Sequence, residues 1–388
     1  MAHRNQLWKE TGQCMTHWRR RRLLLCCVLS SFLLAPAAVV SACSAFCLRA
    51  GGHLLVGKNF DWYTGEGFLS LNPRHVSKTA LVQPPDLPVH WTATYGSVTF
   101  NQIGREFPFG GMNEAGLVVE LLWLSDTRYP APDARPALNE LQWVQYQLDT
   151  AQSVAEVLES DAALRITQPH AAVHYFVCDR AGNAATVEFL DGRLVAHTGT
   201  ALPVAVLTNT NYARSLDYLS AQRGAGVRRE SASSPASLDR FVRAATLVEH
   251  LTASAPPSLV DSAFGILDAV AQGSLTQWRI VYDVENFQVV FTTQARKQSQ
   301  TVALHELDFG CATPRKMMEL NGEQAGHFTP YDTAQGQSLL QRVVNRLVDV
   351  GFFRQAPAAS EIAQFARYPD SLVCRPEGQE QDTTESRR

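Results

Sequence analysis

The sequence predicts an α+β protein: an antiparallel sheet core with helices packed outside it. Three observations carry this reading. Short strand-like runs follow one another through tight turns as meanders, helical periodicity occurs in separate paired stretches, and the two never alternate in the βαβ order of a parallel sheet. The chain has 388 residues, 45% hydrophobic and only 18% charged, with a formal net charge of −3. That composition excludes fibrous, disordered and heavily charged polypeptides. One large domain over residues 43–375 is expected to hold the fold.

The chain opens with Arg19 to Arg22 running into the apolar stretch Leu23 to Ala35, then Pro36 and the small-residue step Val40-Ser41-Ala42. These are the basic region, short apolar region and cleavage site of a signal peptide over residues 1–42, and Pro36 interrupts the stretch before a membrane-spanning helix is complete. Without residues 1–42, which hold six Lys/Arg and one acid, 28 basic and 36 acidic side chains remain, a balance of −8. That argues against nucleic acid as a partner, because phosphate binding needs a basic surface. Cleavage after Ala42 makes Cys43 the first residue, with a thiol and a free α-amine on one residue. The same step also fits a lipoprotein signal, so the alternative is a membrane-tethered binding lipoprotein acylated at Cys43. Five cysteines remain (Cys43, Cys47, Cys178, Cys311, Cys374), an odd number that leaves at least one unpaired within an exported chain.

Cys43 to Arg49 and Leu54 to Trp62 have strand composition on either side of Gly51-Gly52, which predicts a β-hairpin. With the two glycines central in the turn, Cys43 faces Phe60 and Ala45 faces Lys58, so Cys43 and Lys58 share a face. An ammonium a diagonal step from a thiol favours the thiolate. The same register turns Asp61 to the opposite face unless the strand ends or bulges there. Ser97 to Phe100 and Leu117 to Trp123 read as further strands, the second preceded by a turn at Asn113 to Gly116. A helix is expected to start at Pro136, with Leu138, Leu141, Val144 and Leu148 at helical spacing, and Ser153 caps a short helix through Leu158. Val173 to Cys178, Ala185 to Phe189 and Arg193 to His197 form a meander, in which His174 is expected to be a satisfied core residue. A polar loop spans Arg223 to Pro235. Helices follow at Arg240 to Leu251 and Leu259 to Val270, a hairpin from Gln277 to Thr293 and a last helix near Gln335 to Val350, before a disordered tail over residues 376–388. The chain has no phosphate-cradling glycine loop and no His/Cys cluster with zinc spacing, so neither cofactor nor metal is predicted.

Five segments resemble, in order, the choloylglycine hydrolase family of bile salt hydrolases, penicillin V acylases and related linear-amide hydrolases. They are Cys43 with Gly57-Lys58-Asn59-Phe60-Asp61-Trp62, Gly111 to Leu117, Val206 to Asn209, Arg240 to Ala244, and Thr276 to Asp283. The resemblance covers residues 43 to 311 and implies the four-layer αββα sandwich of N-terminal-nucleophile hydrolases. It further implies Cys43 as nucleophile and base, Asp61 as the group orienting its amine, Asn209 as a polarising or oxyanion contact, and Arg240 as the second catalytic-site arginine. Lys58 stands where the family usually has Arg; it keeps the charge and loses the planar five-donor fork. Trp62 and Trp123 would border the substrate pocket, and tryptophan there resembles the Gram-negative penicillin V acylase branch. The expected protein is an exported amidase, periplasmic or secreted. It would cleave a small-molecule N-acyl amide such as penicillin V or an N-acyl homoserine lactone in preference to bile salts, and assembly as a homo-oligomer is compatible with this reading.

Overall fold

The computed structural model describes residues 43–224, 236–254, 256–321, 326–353 and 355–375. The expected signal peptide, most of the expected polar loop and the expected tail lie outside the described residues.

Two large antiparallel sheets form the centre. The first runs Val206–Leu207, Ser44–Ala50, His53–Asp61, Thr276–Asp283, Gln288–Thr293 and Gln300–Ala303. The second runs Arg193–Thr198, Ala184–Leu190, Val173–Cys178, Val118–Trp123, Pro108–Asn113, Ser97–Asn101, Phe68–Asn72, Lys316–Glu319 and Thr329–Pro330. Helices Ser237–Ser254 and Leu259–Ala269 pack on the first sheet, and helix Glu140–Thr150 packs on the second. The result is the four-layer αββα sandwich.

The first hairpin has the expected register, pairing Ala45 with Lys58 and Ser44 with Asn59. Gly51 and Gly52 lie at φ 58° and 84°, a region glycine enters without a Cβ penalty and which two-residue hairpins favour. The two-residue period then sorts the side chains. Cys47 points between the sheets, where its Sγ lies 3.4 Å from Cys178 Sγ. Asn59 points the other way, and its Nδ2 donates to the Leu267 carbonyl of the helical layer at 2.7 Å.

Three elements differ from expectation. The helix expected from Pro136 begins at Glu140, because Asn139 Oδ1 accepts from the N–H groups of Leu141 and Gln142 while Ala137–Leu138 pair in parallel with Arg165–Ile166. Asn211 Oδ1 accepts from Arg214 N at 3.0 Å, and a helix not expected from the sequence, Tyr212–Gly224, follows it. After the C-terminal helix Thr333–Asp349 a further one, Ala359–Arg367, packs against it. A Cys311–Cys374 disulfide closes the segment carrying both.

Candidate active site

Lys58 lies on the inter-sheet face and is 1% exposed. Its Nζ donates to the Leu121 carbonyl and lies 3.1 Å from Glu120 Oε2. Glu120 in turn accepts from the Tyr282 hydroxyl. Space for this carboxylate comes from Gly110, its cross-strand partner, where a Cβ would stand 2.2 Å from Glu120 Oε2. Burial pushes the Glu120 carboxyl above its ordinary pKa, while Lys58 and Tyr282 pull it down. Sequence reasoning missed Glu120. The available signal was an acid inside the apolar run Val118 to Trp123, which in a sheet buried on both faces demands a cationic partner.

Cys43 is 6% exposed at the head of the first strand. Burial raises its thiol pKa; the charge of Lys58 is the strongest influence in the opposite direction, and the Asp61 backbone N–H and Arg240 also favour the thiolate. Asp61 ends the second strand, with its side chain directed to the Gln272 and Thr276 side rather than to Lys58. Oδ2 accepts from Gln272 Nε2 at 2.9 Å and Oδ1 from the Thr276 hydroxyl. The pairing of Thr276 with Asp61 and of Trp278 with Phe60 marks an irregularity at this strand end. Burial raises the Asp61 pKa, against Arg240, the two hydrogen bonds and Lys58.

Arg240, fully buried on helix Ser237–Ser254, ties the site together. Its Nη1 donates to the Cys43 carbonyl at 2.8 Å and to Ser44 Oγ at 2.6 Å, and its Nη2 donates to Asn209 Oδ1 at 3.0 Å. Burial lowers its pKa, opposed by Asp61 and Cys43. Asn209 is half-buried; its backbone N–H donates to Ser237 Oγ and its Nδ2 to the Trp123 carbonyl at 2.7 Å. Arg243, three residues along the helix, donates instead to the Ala269 carbonyl. The structure therefore gathers Cys43, Lys58, Asp61, Asn209 and Arg240 at one end of the first sheet. His174 is a core residue as expected but only half satisfied: its Nδ1 lies 3.0 Å from Glu188 Oε1 while its buried Nε2 has no partner among the described residues, and it stands outside this group.

A cavity of about 240 Å³ opens on this group, lined at that end by Cys43, Phe60, Asp61, Trp62 and Trp123. The two indoles lie 6.5 Å apart, and Phe352 packs edge-on against both. Leu340, Val344, Leu347, Phe353 and Phe365 form an apolar roof from the C-terminal segment, none of which sequence reasoning placed here. A larger cavity of about 760 Å³, lined by Arg296, Gln300, Met318 and His327 among others, contains none of the expected site residues. The chemistry therefore points to the smaller one. Among the described residues no three His, Cys, Asp or Glu side chains gather as metal ligands.

This sandwich, with a cysteine heading its first strand beside buried Arg, Asp and Lys, defines a hydrolase architecture. Residues 43–234 match the linear amide C–N hydrolases of the choloylglycine hydrolase family. A penicillin V acylase from Pectobacterium atrosepticum is 26% identical over 351 residues, covering 76% of this chain and 92% of that protein. The structure of penicillin V acylase from Agrobacterium tumefaciens matches with a TM-score of 0.65 and 25% identity, over 74% of this chain and 98% of its own. A conjugated bile acid hydrolase from Clostridium perfringens, 17% identical with a TM-score of 0.61 over 74% of this chain and 100% of its own, shares the fold.

Proposed function

We propose that this protein is an exported cysteine N-terminal-nucleophile amidase that hydrolyses N-acyl amines with an apolar or aromatic acyl group, penicillin V and N-acyl homoserine lactones ahead of bile salts. The observation that carries this reading is the position of Cys43: it heads an aromatic-walled cavity and lies within the influence of Lys58, Asp61 and Arg240. Removal of residues 1–42 frees its α-amine, whose ordinary pKa of about 7.7–8.0 suits a base at neutral pH. The amine takes the thiol proton and the sulfur attacks the amide carbon. The second Nδ2 proton of Asn209, beyond the one given to Trp123, and backbone N–H groups stabilise the oxyanion. Collapse expels the amine with a proton from the α-ammonium and leaves a thioester. Water, deprotonated by the same α-amine, then releases the acid and restores the thiol. Asp61 and Arg240 hold the amine, the Cys43 carbonyl and Asn209 in place. The Cys311–Cys374 bridge suits an oxidising compartment and supports export. Burial of Cys43 leaves little room for a diacylglyceryl group and weighs against a lipoprotein.

The test is the purified protein on a panel of N-acyl amides, with N-terminal sequencing and intact mass. Turnover by the form beginning at Cys43, lost in Cys43→Ala and when processing is blocked at Ala42, is the expected result. Full activity in a form that begins before Cys43 refutes the mechanism, and a mass carrying acyl chains on Cys43 returns the lipoprotein reading.

A further inference from the structure

The cavity that holds Cys43 reaches the outer helical layer, where its lining changes character. Leu121, Leu141, Val173 and Ile362 make the intervening wall apolar, but the outer end holds Glu140, His170 and Glu361. Glu140 is 0% exposed. Its Oε1 accepts from the backbone N–H groups of His170 at 3.0 Å and Ala171 at 3.1 Å, and the His170 ring Nδ1 lies 3.7 Å from the same oxygen. Its Oε2 accepts no hydrogen bond. A buried carboxylate with one unsatisfied oxygen carries a desolvation cost that a donor from a ligand would relieve.

We propose that Glu140 and His170 form a subsite for a hydroxyl group borne by the acyl part of the substrate, the hydroxyl donating to Glu140 Oε2 and accepting from the His170 ring. This rests on the amidase reading above. The two side chains offer an acceptor and a donor together, which one hydroxyl satisfies. The Glu140 carboxylate beside the ring raises the pKa of His170, with burial opposing it and Glu361 assisting, so the ring gains positive charge that an ammonium would meet unfavourably. A methyl terminus leaves Oε2 bare. Glu140 is then a specificity residue as well as the first residue of its helix, and the preferred acyl group is apolar along its length and hydroxylated towards its end.

The experiment compares kcat/KM for N-alkanoyl and N-ω-hydroxyalkanoyl amides of matched chain lengths, with phenyl and 4-hydroxyphenyl acyl pairs alongside. Where the chain reaches Glu140, the hydroxyl substrate should exceed its methyl counterpart by about tenfold, the scale of one hydrogen bond to a charged acceptor. In Glu140→Gln the backbone N–H groups of His170 and Ala171 hold the amide oxygen at the Oε1 position. That puts an NH2 where Oε2 stood, so the preference should pass from hydroxyl to ketone-terminated chains. Turnover of the alkanoyl series with no hydroxyl advantage at any length overturns the subsite and leaves the amidase reading standing; no turnover of any amide removes both. A hydroxyl advantage that persists undiminished in folded Glu140→Gln also overturns it. Should that variant fail to fold, the substrate series on the unmodified protein still decides.

Discussion

In Lys58→Met the Leu121 carbonyl loses a donor, Glu120 loses its counter-charge, and Cys43 loses the strongest influence favouring its thiolate. The Lys58 and Glu120 side chains are each 2% exposed. Removing one partner of a pair buried to this degree costs about 3–5 kcal/mol. The lower end applies here, because burial already raises the Glu120 pKa and the bare carboxyl can take up a proton while keeping Tyr282 as a donor. At Cys43 the sign is definite: a cation stabilises the thiolate, so its loss raises the thiol pKa further. Iodoacetamide alkylation near neutrality should therefore slow by about tenfold or more, the scale of losing an adjacent opposite charge, and the acidic limb of the rate profile should move to higher pH. Lys58→Met/Glu120→Gln separates the two roles. Removing the orphaned carboxylate should restore most of the urea midpoint and leave alkylation slow. Lys58→Arg keeps the charge and should keep the alkylation rate. Unchanged alkylation and an unchanged pH profile in folded Lys58→Met would refute electrostatic activation and leave Lys58 as a partner of Glu120 alone.

Trp123→Ala and Phe352→Ala should each raise KM for aromatic and long-chain acyl amides by about tenfold or more, the scale of one buried large side chain, and far less for acetyl amides; equal changes across that series would make these residues packing only. Arg240→Lys cannot make three bonds from one planar group, so kcat should fall by about a hundredfold with a smaller change in KM, the scale expected when reacting groups are misplaced; near-normal kcat would mean that the bonds to Cys43, Ser44 and Asn209 do not position the reaction. Cys374→Ser opens a loop of sequence separation 63 and should cost up to about 4 kcal/mol, read as a lower Tm. Thiol titration of the denatured, unreduced protein beginning at Cys43 should count three groups, Cys43, Cys47 and Cys178, and five would show the bridge absent.

Much of the site was legible because it is local. Gly51-Gly52 sets the hairpin turn, the turn sets the register, and the two-residue period then places Cys43 and Lys58 on one face with Asp61 on the other. Arg240 entered only through the resemblance. Asn209 likewise entered only through the resemblance. The helix Tyr212–Gly224 was hidden by the polar run Thr208 to Asn211 before it, since Asn and Thr serve turns and helix caps alike.

By itself the sequence determined the antiparallel sheets with outer helices and the hairpin register that puts Cys43 and Lys58 on one face, because turn chemistry and alternation act over a few residues; Asn209 and Arg240 entered through the family resemblance. Only the tertiary structure decided that Glu120, on a strand of the other sheet, neutralises Lys58, that Gln272 and Thr276 bond Asp61, and that the C-terminal segment roofs the cavity. These contacts join residues far apart in the chain, and they depend on how two sheets and their helices stack. Local spacing carries no information about that stacking; it follows from burying all the apolar faces at once, with each buried charge obliged to find its partner.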